Sequence, residues 1–302
     1  MNEPCATDRI ETPRKPWSSD ACLRPEITVT PQSSLPETSG GRDSLWPPRI
    51  ALLAGGLATR LRPLTTGTPK SLIQIAGEPF LAHQLRLLHS RGIREVVICC
   101  GFLGDQIEAF AGDGRRFGLS ITYSHDGNRL LGTGGALRAA LPLLGNRFLV
   151  MYGDSWLTEP IEPVWRAFVH SGKAALMTVF RNENRWGASN VEFHRGVVLR
   201  YSKNHASPTM CYIDYGLEAL DARVLAHWTV PLFDLSDVWS ALAEYGQLAG
   251  YEAAGRFYEI GSFWGLRETE RILTTTSITA RLRRTAERCA RGPQIDAPEL
   301  CP

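Results

Sequence analysis

The sequence predicts a doubly wound α/β fold, a mixed and mostly parallel sheet with helices on both faces. Two observations carry this expectation. From residue 50 onward, apolar runs of strand length alternate with segments of helical period, and two of those runs, Ile50 to Ala54 and Phe148 to Tyr152, lead directly into the glycines Gly55 and Gly153. Such alternation builds a sheet covered on both faces, with ligands bound beyond the carboxyl ends of its strands. The loops opened by Gly55 and Gly153 can therefore face one site.

In order, Ile50 to Ala54 is a strand. Pro79 starts a helix whose Leu81, Leu85 and Leu88 share one face, and Glu95 to Cys100 is again strand-like. A helix around Gln106 to Phe110, a strand at Leu119 to Tyr123, a helix near Ala136 to Leu141 and a strand at Phe148 to Tyr152 follow. The second half is less regular. It offers strand-like Ala175 to Phe180, Val191 to His194, Val197 to Tyr201 and Met210 to Tyr215, then one helix entered at Ser236 and another from about Leu266 to Arg284. His83 and His227 read as partly exposed helix residues.

Eight of the 19 prolines fall in residues 1–48, among Ser, Thr and Glu, where no helical or strand period is sustained. Such a segment cannot bury enough apolar surface to offset its ordering entropy. Residues 1–47 are therefore expected to be a disordered extension, 48–287 the folded domain and 288–302 a short tail. Isolated Trp17 and Trp46 are the groups that could dock the extension.

A chain of 302 residues, 43% hydrophobic and 21% charged, has the composition of a soluble globular protein. No apolar run approaches the roughly 20 residues that span a bilayer, and the start, Met-Asn-Glu-Pro-Cys-Ala-Thr-Asp, lacks the pattern of a secretory signal. A cytoplasmic protein without a membrane partner, a monomer or small homo-oligomer, is expected. Seven cysteines without a Cys-x-x-Cys point to reduced thiols. A net charge of +2, with 33 basic against 31 acidic residues and no basic cluster, argues against a nucleic-acid partner.

The stretch LAGGLATRLRPLTTGTPKSL, Leu53 to Leu72, is richer than a turn requires. Gly55 and Gly56 let backbone N–H groups approach a ligand closely, Arg60, Arg62 and Lys70 add positive charge, and Thr59, Thr65, Thr66 and Thr68 add hydroxyls. This combination suits a polyphosphate. Taken in order, Gly-Gly, then Thr-Arg-Leu three residues on, Pro63-Leu64-Thr65 and Pro69-Lys70 resemble the signature of the sugar-phosphate nucleotidylyltransferase family. The resemblance implies a Rossmann-like nucleotidyltransferase fold and an enzyme that makes a nucleotide sugar from an NTP and a sugar 1-phosphate.

Further stretches extend the resemblance. It implies that Asp154 in LVMYGDSW and Glu259 in FYEIGSFWGL hold Mg²⁺, a hard cation suited to carboxylates together with substrate phosphates. Glu259 stands where the family has Asp, and Ser262 where it has Thr. LLGTGGAL, residues 130–137, is similar to the loop that lies against the nucleoside, in the wording of the heptose and mannose 1-phosphate guanylyltransferase branch. Leu53, Ala54, Gly55, Gly56, Thr59, Gly132 and Thr133 are then nucleotide-binding, and Tyr123, Ser124, His125 and above all Asp126 are candidates to read the base. On the acceptor side RWGASNVEF, RYSKN and YIDYGLEAL resemble sugar-contacting stretches and nominate Gly187, Asn190, Lys203 and Gly216. Trp186 there replaces Tyr, Ser202 replaces Glu and Asp214 replaces Asn.

The expectation is nucleotidyl transfer, with Arg60 and Lys70 catalytic, GTP as donor and a heptose or hexose 1-phosphate as acceptor. A P-loop kinase is disfavoured because no Gly-Lys-Ser/Thr follows a glycine loop, and a molybdopterin-type nucleotidyltransferase because its Gly-to-Lys loop is much shorter. The alternative from another class is a non-catalytic nucleotidyltransferase-like regulatory or binding subunit.

Overall fold

A computed structural model describes residues 46–275. The extension up to residue 45, the end of the helix expected to reach Arg284 and the tail 288–302 lie outside the described residues. The first half runs β1 (Ile50–Leu53), the small hairpin β2 (Gln74–Ile75) and β3 (Glu78–Pro79), α1 (Phe80–Ser90), β4 (Glu95–Cys100), α2 (Gly104–Ala111), β5 (Ser120–His125), α3 (Gly132–Ala139), α4 (Leu141–Leu144) and β6 (Arg147–Tyr152). The second half runs β7 (Ser155–Trp156), α5 (Ile161–Ser171), β8 (Ala175–Arg181), β9 (Val191–His194), β10 (Val197–Tyr201), β11 (Tyr212–Asp221), α6 (Ala222–Ala226), α7 (Leu235–Glu244), β12 (Leu248–Glu252) and β13 (Tyr258–Glu259). Residues 263–275 are helical.

Nine strands form one sheet in the order β5-β4-β1-β6-β11-β8-β12-β10-β9. β5, β4, β1 and β6 are mutually parallel, as are β8 and β12, while β11 runs antiparallel to both β6 and β8. The carboxyl ends of β1, β4 and β6 and the amino end of β11 therefore meet on one edge. β7 and β13 pair separately, with Glu259 opposite Ser155.

Alternation along the strands divides the core between the two faces. Ile50 and Leu52 of β1 pack with Leu81, Leu85 and Leu88 of α1, Ile107 of α2 and Trp165 and Phe168 of α5. Ala51 of β1 packs with Leu137 of α3 and Val238, Trp239 and Leu242 of α7. Each fully buried aliphatic or aromatic side chain contributes about 1.5–3 kcal/mol, so the paired layers are what hold the edge and its loops in place. Trp46 is partly buried against the first of these clusters and beside Gly92, which ties the start of the described chain to the core.

The structure departs from the sequence reading at several elements. The strand expected at Met210 to Tyr215 continues to Asp221, and its buried run YGLEALD is what pairs with β6 and β8. α5 was not anticipated, although Ile161, Val164, Trp165 and Phe168 mark an amphipathic helix ending at Gly172. The five-residue β12 was also missed. His83 is buried rather than partly exposed, because β2 folds over α1 and its Ile75 carbonyl lies 2.8 Å from His83 Nε2.

Candidate active site

The exits of β1, β4 and β6 converge closely. Ala54 donates to the Cys99 carbonyl and Gly153 to the Leu53 carbonyl, both at 2.9 Å. A Cβ on Gly153 would lie 2.4 Å from the Leu53 oxygen, and one on Gly55 would lie 2.9 Å from the Gly101 nitrogen. Both contacts are with backbone, so glycine is what lets the loops meet. Among the described residues the N–H groups of Gly55, Gly56 and Leu57 find no acceptor within the chain. Thr65 closes the loop from behind by donating to the Ala58 carbonyl at 2.9 Å.

These loops floor a cavity of about 580 Å³. Lys70 Nζ meets Asp154 Oδ2 at 2.6 Å in a mostly buried ion pair. Glu259 comes from the far end of the chain: the β7–β13 pair and an Ile260 N–H to Asp154 carbonyl bond of 2.9 Å set it beside Asp154. Thr269 Oγ1 donates to the Glu259 carbonyl from the last helix. Burial pushes the Glu259 carboxyl up, the Asp154 charge pushes it further, and Arg60 and Lys70 pull it down. Two carboxylates and two cations thus converge, a donor set suited to a hard divalent cation and the phosphates it neutralises.

At the end of the cavity beyond β4, Asp126 accepts from the Leu131 N–H at 3.2 Å, and burial raises its pKa. Tyr123, Ser124 and His125, the other candidates to read a base, do not line the cavity. Tyr123 donates to the Gly112 carbonyl at 2.6 Å and His125 pairs with Glu108 at 3.0 Å, both toward α2. Gly132 and Thr133 do line it. The glycines after them serve packing: Gly134 and Gly135 donate to the Phe233 carbonyl, and a Cβ on Gly134 would lie 2.3 Å from the Phe233 ring. Asp234, absent from the sequence reading, accepts from both N and Oγ1 of Thr133 at 3.2 Å. Cys99 also reaches the cavity, but burial drives its thiol far up and leaves it a poor nucleophile.

The opposite end is built by the 182–190 loop, β10 and β11. Buried Asn182 holds the loop by donating to the Gly187 carbonyl and Ser189 Oγ and accepting from the Trp186 N–H. Gly187 and Trp186 are thereby turned to the cavity, and Arg256 lies 3.4 Å from the centroid of the Trp186 ring. Asn190 Oδ1 accepts from the Asp214 N–H at 3.0 Å; burial raises the Asp214 carboxyl, and Lys203 is near enough to oppose that shift. Gly216 takes φ +86, where a Cβ would meet Ser155 Oγ at 2.9 Å.

One cavity therefore brings together Leu53, Ala54, Gly55, Gly56, Arg60, Lys70, Asp126, Gly132, Thr133, Asp154, Gly187, Asn190, Lys203, Gly216 and Glu259. Thr59 is exposed and stands outside it. Sequence reasoning also missed Gln84 of α1. It is fully buried and donates to the Tyr152 and Ser155 carbonyls at 3.1 and 2.9 Å, bracing the turn that carries Asp154. Its signal was a glutamine beside the buried leucines of α1.

Residues 50–192 match the family model described as nucleotidyl transferase. The chain is 30% identical over 220 residues to the mannose-1-phosphate guanylyltransferase catalytic subunit beta of Xenopus tropicalis, covering 70% of this chain and 61% of that protein. It is 45% identical over 107 residues to the N-acetylmuramate alpha-1-phosphate uridylyltransferase of Neisseria meningitidis, 35% of this chain and 46% of that one. The crystal structure of HddC from Yersinia pseudotuberculosis superposes with a TM-score of 0.63 at 21% identity, over 74% of this chain and 99% of that one, and shares the Rossmann-like fold. The chain thus spans less than two thirds of the curated relatives it matches at greatest length. With the glycine loop, the Gly153-Asp154 turn and the nine-stranded sheet in place, these matches make residues 50–192 a nucleotidyl transferase domain similar to those of the sugar-phosphate nucleotidylyltransferases.

Proposed function

We propose that this domain transfers a nucleotidyl group from an NTP to a sugar 1-phosphate, releasing pyrophosphate. The observation that carries the reading is the meeting of Arg60 and Lys70 with Asp154 and Glu259 in one cavity, from segments nearly 200 residues apart in sequence. An oxygen of the sugar phosphate, already anionic near neutral pH, attacks the α-phosphorus in line. The bond from that phosphorus to the bridging oxygen breaks and pyrophosphate leaves with the electron pair. No protein nucleophile and no general base are needed.

The unpaired N–H groups of Gly55, Gly56 and Leu57 and the Arg60 guanidinium would hold the phosphates that leave. Lys70 would exchange Asp154 for the α-phosphate and the incoming phosphate, where charge builds in the transition state. Asp154 and Glu259 would hold Mg²⁺, which supplies positive charge to the phosphates when bound. Lys203 would anchor the sugar phosphate, with Gly187, Asn190 and Gly216 around the sugar. Asp126 keeps a free carboxylate oxygen and would accept from the ring N–H and amino group that guanine presents together, which favours GTP. The names of the relatives, a guanylyltransferase for mannose 1-phosphate and a uridylyltransferase, support the same reaction type.

The experiment is an initial-rate panel of four NTPs against mannose, glucose, heptose and N-acetylmuramate 1-phosphates, with Mg²⁺ present. Turnover with GTP and a hexose or heptose 1-phosphate is expected. If UTP, CTP or dTTP is the better donor, or if the GTP advantage survives Asp126→Ala, the base-reading role of Asp126 fails.

A further inference from the structure

Glu218 is a charged residue type in the middle of the buried run of β11, and the reaction proposed above gives it no part. β11 carries a bulge: Asp214 stands opposite Val179 and Glu218 opposite Met177, so four steps of β11 match two of β8. Residues opposite each other on a ladder point to the same face. Val179 and Met177 both belong to the cluster that includes Trp239 of α7, so both carboxyls enter that layer. Val150, the β6 partner of Glu218, and Tyr152 two residues on belong there too.

Glu218 is 0% exposed, and among the described residues nothing donates a hydrogen bond to either of its oxygens. Its polar neighbour is the Asp214 carboxyl, within hydrogen-bonding reach. Asp214 already accepts from the Tyr152 hydroxyl at 3.1 Å and from the Gly216 N–H at 2.9 Å, and it lines the acceptor end of the cavity near Lys203. Two neighbouring carboxyls, one fully and one partly buried, without a counter-ion between them do not both ionise. Burial and the Asp214 charge both push the Glu218 carboxyl well above the usual carboxylate range; burial raises the Asp214 carboxyl too, but Glu218, the Gly216 N–H, the Tyr152 hydroxyl and Lys203 all draw it back toward its charged form.

We propose that Asp214 and Glu218 share one proton, with Glu218 donating to Asp214, so that Asp214 is held as a carboxylate that accepts a hydroxyl hydrogen of the acceptor sugar. A carboxylate offers about four acceptor positions. Tyr152, Gly216 and Glu218 fill three, and the fourth is open to the cavity. Asp214 is then a specificity-determining residue and Glu218 a positioning residue acting through it. The sugar contact rests on the transfer reading above; the shared proton does not.

The test has one arm independent of activity. Infrared difference spectra of the protein against Glu218→Gln at neutral pH are expected to show the carbonyl stretch of a protonated carboxylic acid only in the parent. Its absence would overturn the proposal. In the activity arm, Glu218→Leu is expected to raise KM for the best sugar 1-phosphate of the panel about tenfold, the scale of losing a hydrogen bond to a charged group. KM for the NTP should stay unchanged, and Glu218→Gln, whose amide still donates, should stay near the parent. Among single-deoxy analogues of that acceptor, one should cost the parent about tenfold in kcat/KM and cost Asp214→Ala nothing further. If Glu218→Gln is as impaired as Glu218→Leu, or if every analogue costs both proteins equally, the assignment falls. A protein that shows the band but turns over no sugar 1-phosphate would overturn the transfer reading and the sugar contact with it, but not the shared proton.

Discussion

Gln84→Leu is the change that best separates scaffold from chemistry, because Gln84 sits behind the turn that carries Asp154 and does not line the cavity. Its amide makes two buried hydrogen bonds, to the Tyr152 and Ser155 carbonyls, which flank Gly153 and Asp154. Leucine fills nearly the same volume but leaves both carbonyls without this donor, at about 1–3 kcal/mol for each group left unsatisfied. Against this, Gln84 Oε1 is itself buried without a partner, so its removal returns part of that loss. The net expectation is a destabilisation of about 2 kcal/mol, or roughly 4–8 °C in Tm for a domain of this size. The freed turn also displaces Asp154, and kcat should fall about tenfold or more, as it does when a reacting constellation is misplaced by an ångström. Differential scanning fluorimetry and the pyrophosphate-release rate, both over a Mg²⁺ titration, measure the two effects. A variant with parental Tm, kcat and Mg²⁺ response would refute the bracing role.

Lys70→Ala and Arg60→Ala should each lower turnover about a hundredfold or more, the scale of removing one charge-stabilising donor, with circular dichroism showing the fold intact. Asp154→Asn should abolish Mg²⁺-dependent activity while Glu259→Asp retains a measurable part, because the first loses the charge that pairs with the cation and the second keeps it; rates across a Mg²⁺ series decide. Glu218 gives a pH signature. Its pKa is raised in the folded protein by burial and by Asp214, so above the unfolded value of about 4.3 the native state holds more protons than the unfolded one and stability falls as pH rises. Glu218→Gln removes that linkage, and its Tm advantage over the parent should widen from about pH 5 toward pH 8; a constant Tm difference would contradict the sign.

The parts of the site legible in the sequence are those whose residue types serve a ligand and little else. Gly55, Gly56, Arg60 and Lys70 stand in one continuous stretch, and Asp154 follows a strand end. Glu259 was legible only through its resemblance to a motif, since its place beside Asp154 depends on the β7–β13 pairing across a hundred residues. Gln84 and Asp234 were not read because each acts on groups far away in sequence, and Asn182 because it ties down only its own loop, at Trp186, Gly187 and Ser189; nothing local distinguishes the three from ordinary helix or loop residues. The glycines of LLGTGGAL show the converse. They invite a phosphate-loop reading, while the structure packs Gly134 closely against the Phe233 ring and Gly135 against Leu131 and the Pro231 carbonyl. In the fold, strands with long apolar runs were clear. β12 is short and holds a glycine, and the continuation of β11 past its bulge is set by its partners β6 and β8 rather than by its own pattern.

The cavity that joins Arg60, Lys70, Asp154 and Glu259 is proposed to carry the transfer of a nucleotidyl group. Its most direct test is pyrophosphate release by the full chain with Mg²⁺ and GTP, with mass detection of the second product, in the presence and absence of a sugar 1-phosphate. Pyrophosphate and a nucleotide sugar are expected in equal amounts, only when the sugar phosphate is present, and neither from Asp154→Asn. Binding of NTP without product under any donor and acceptor of the panel, or release that persists without the sugar phosphate, would contradict the transfer reading.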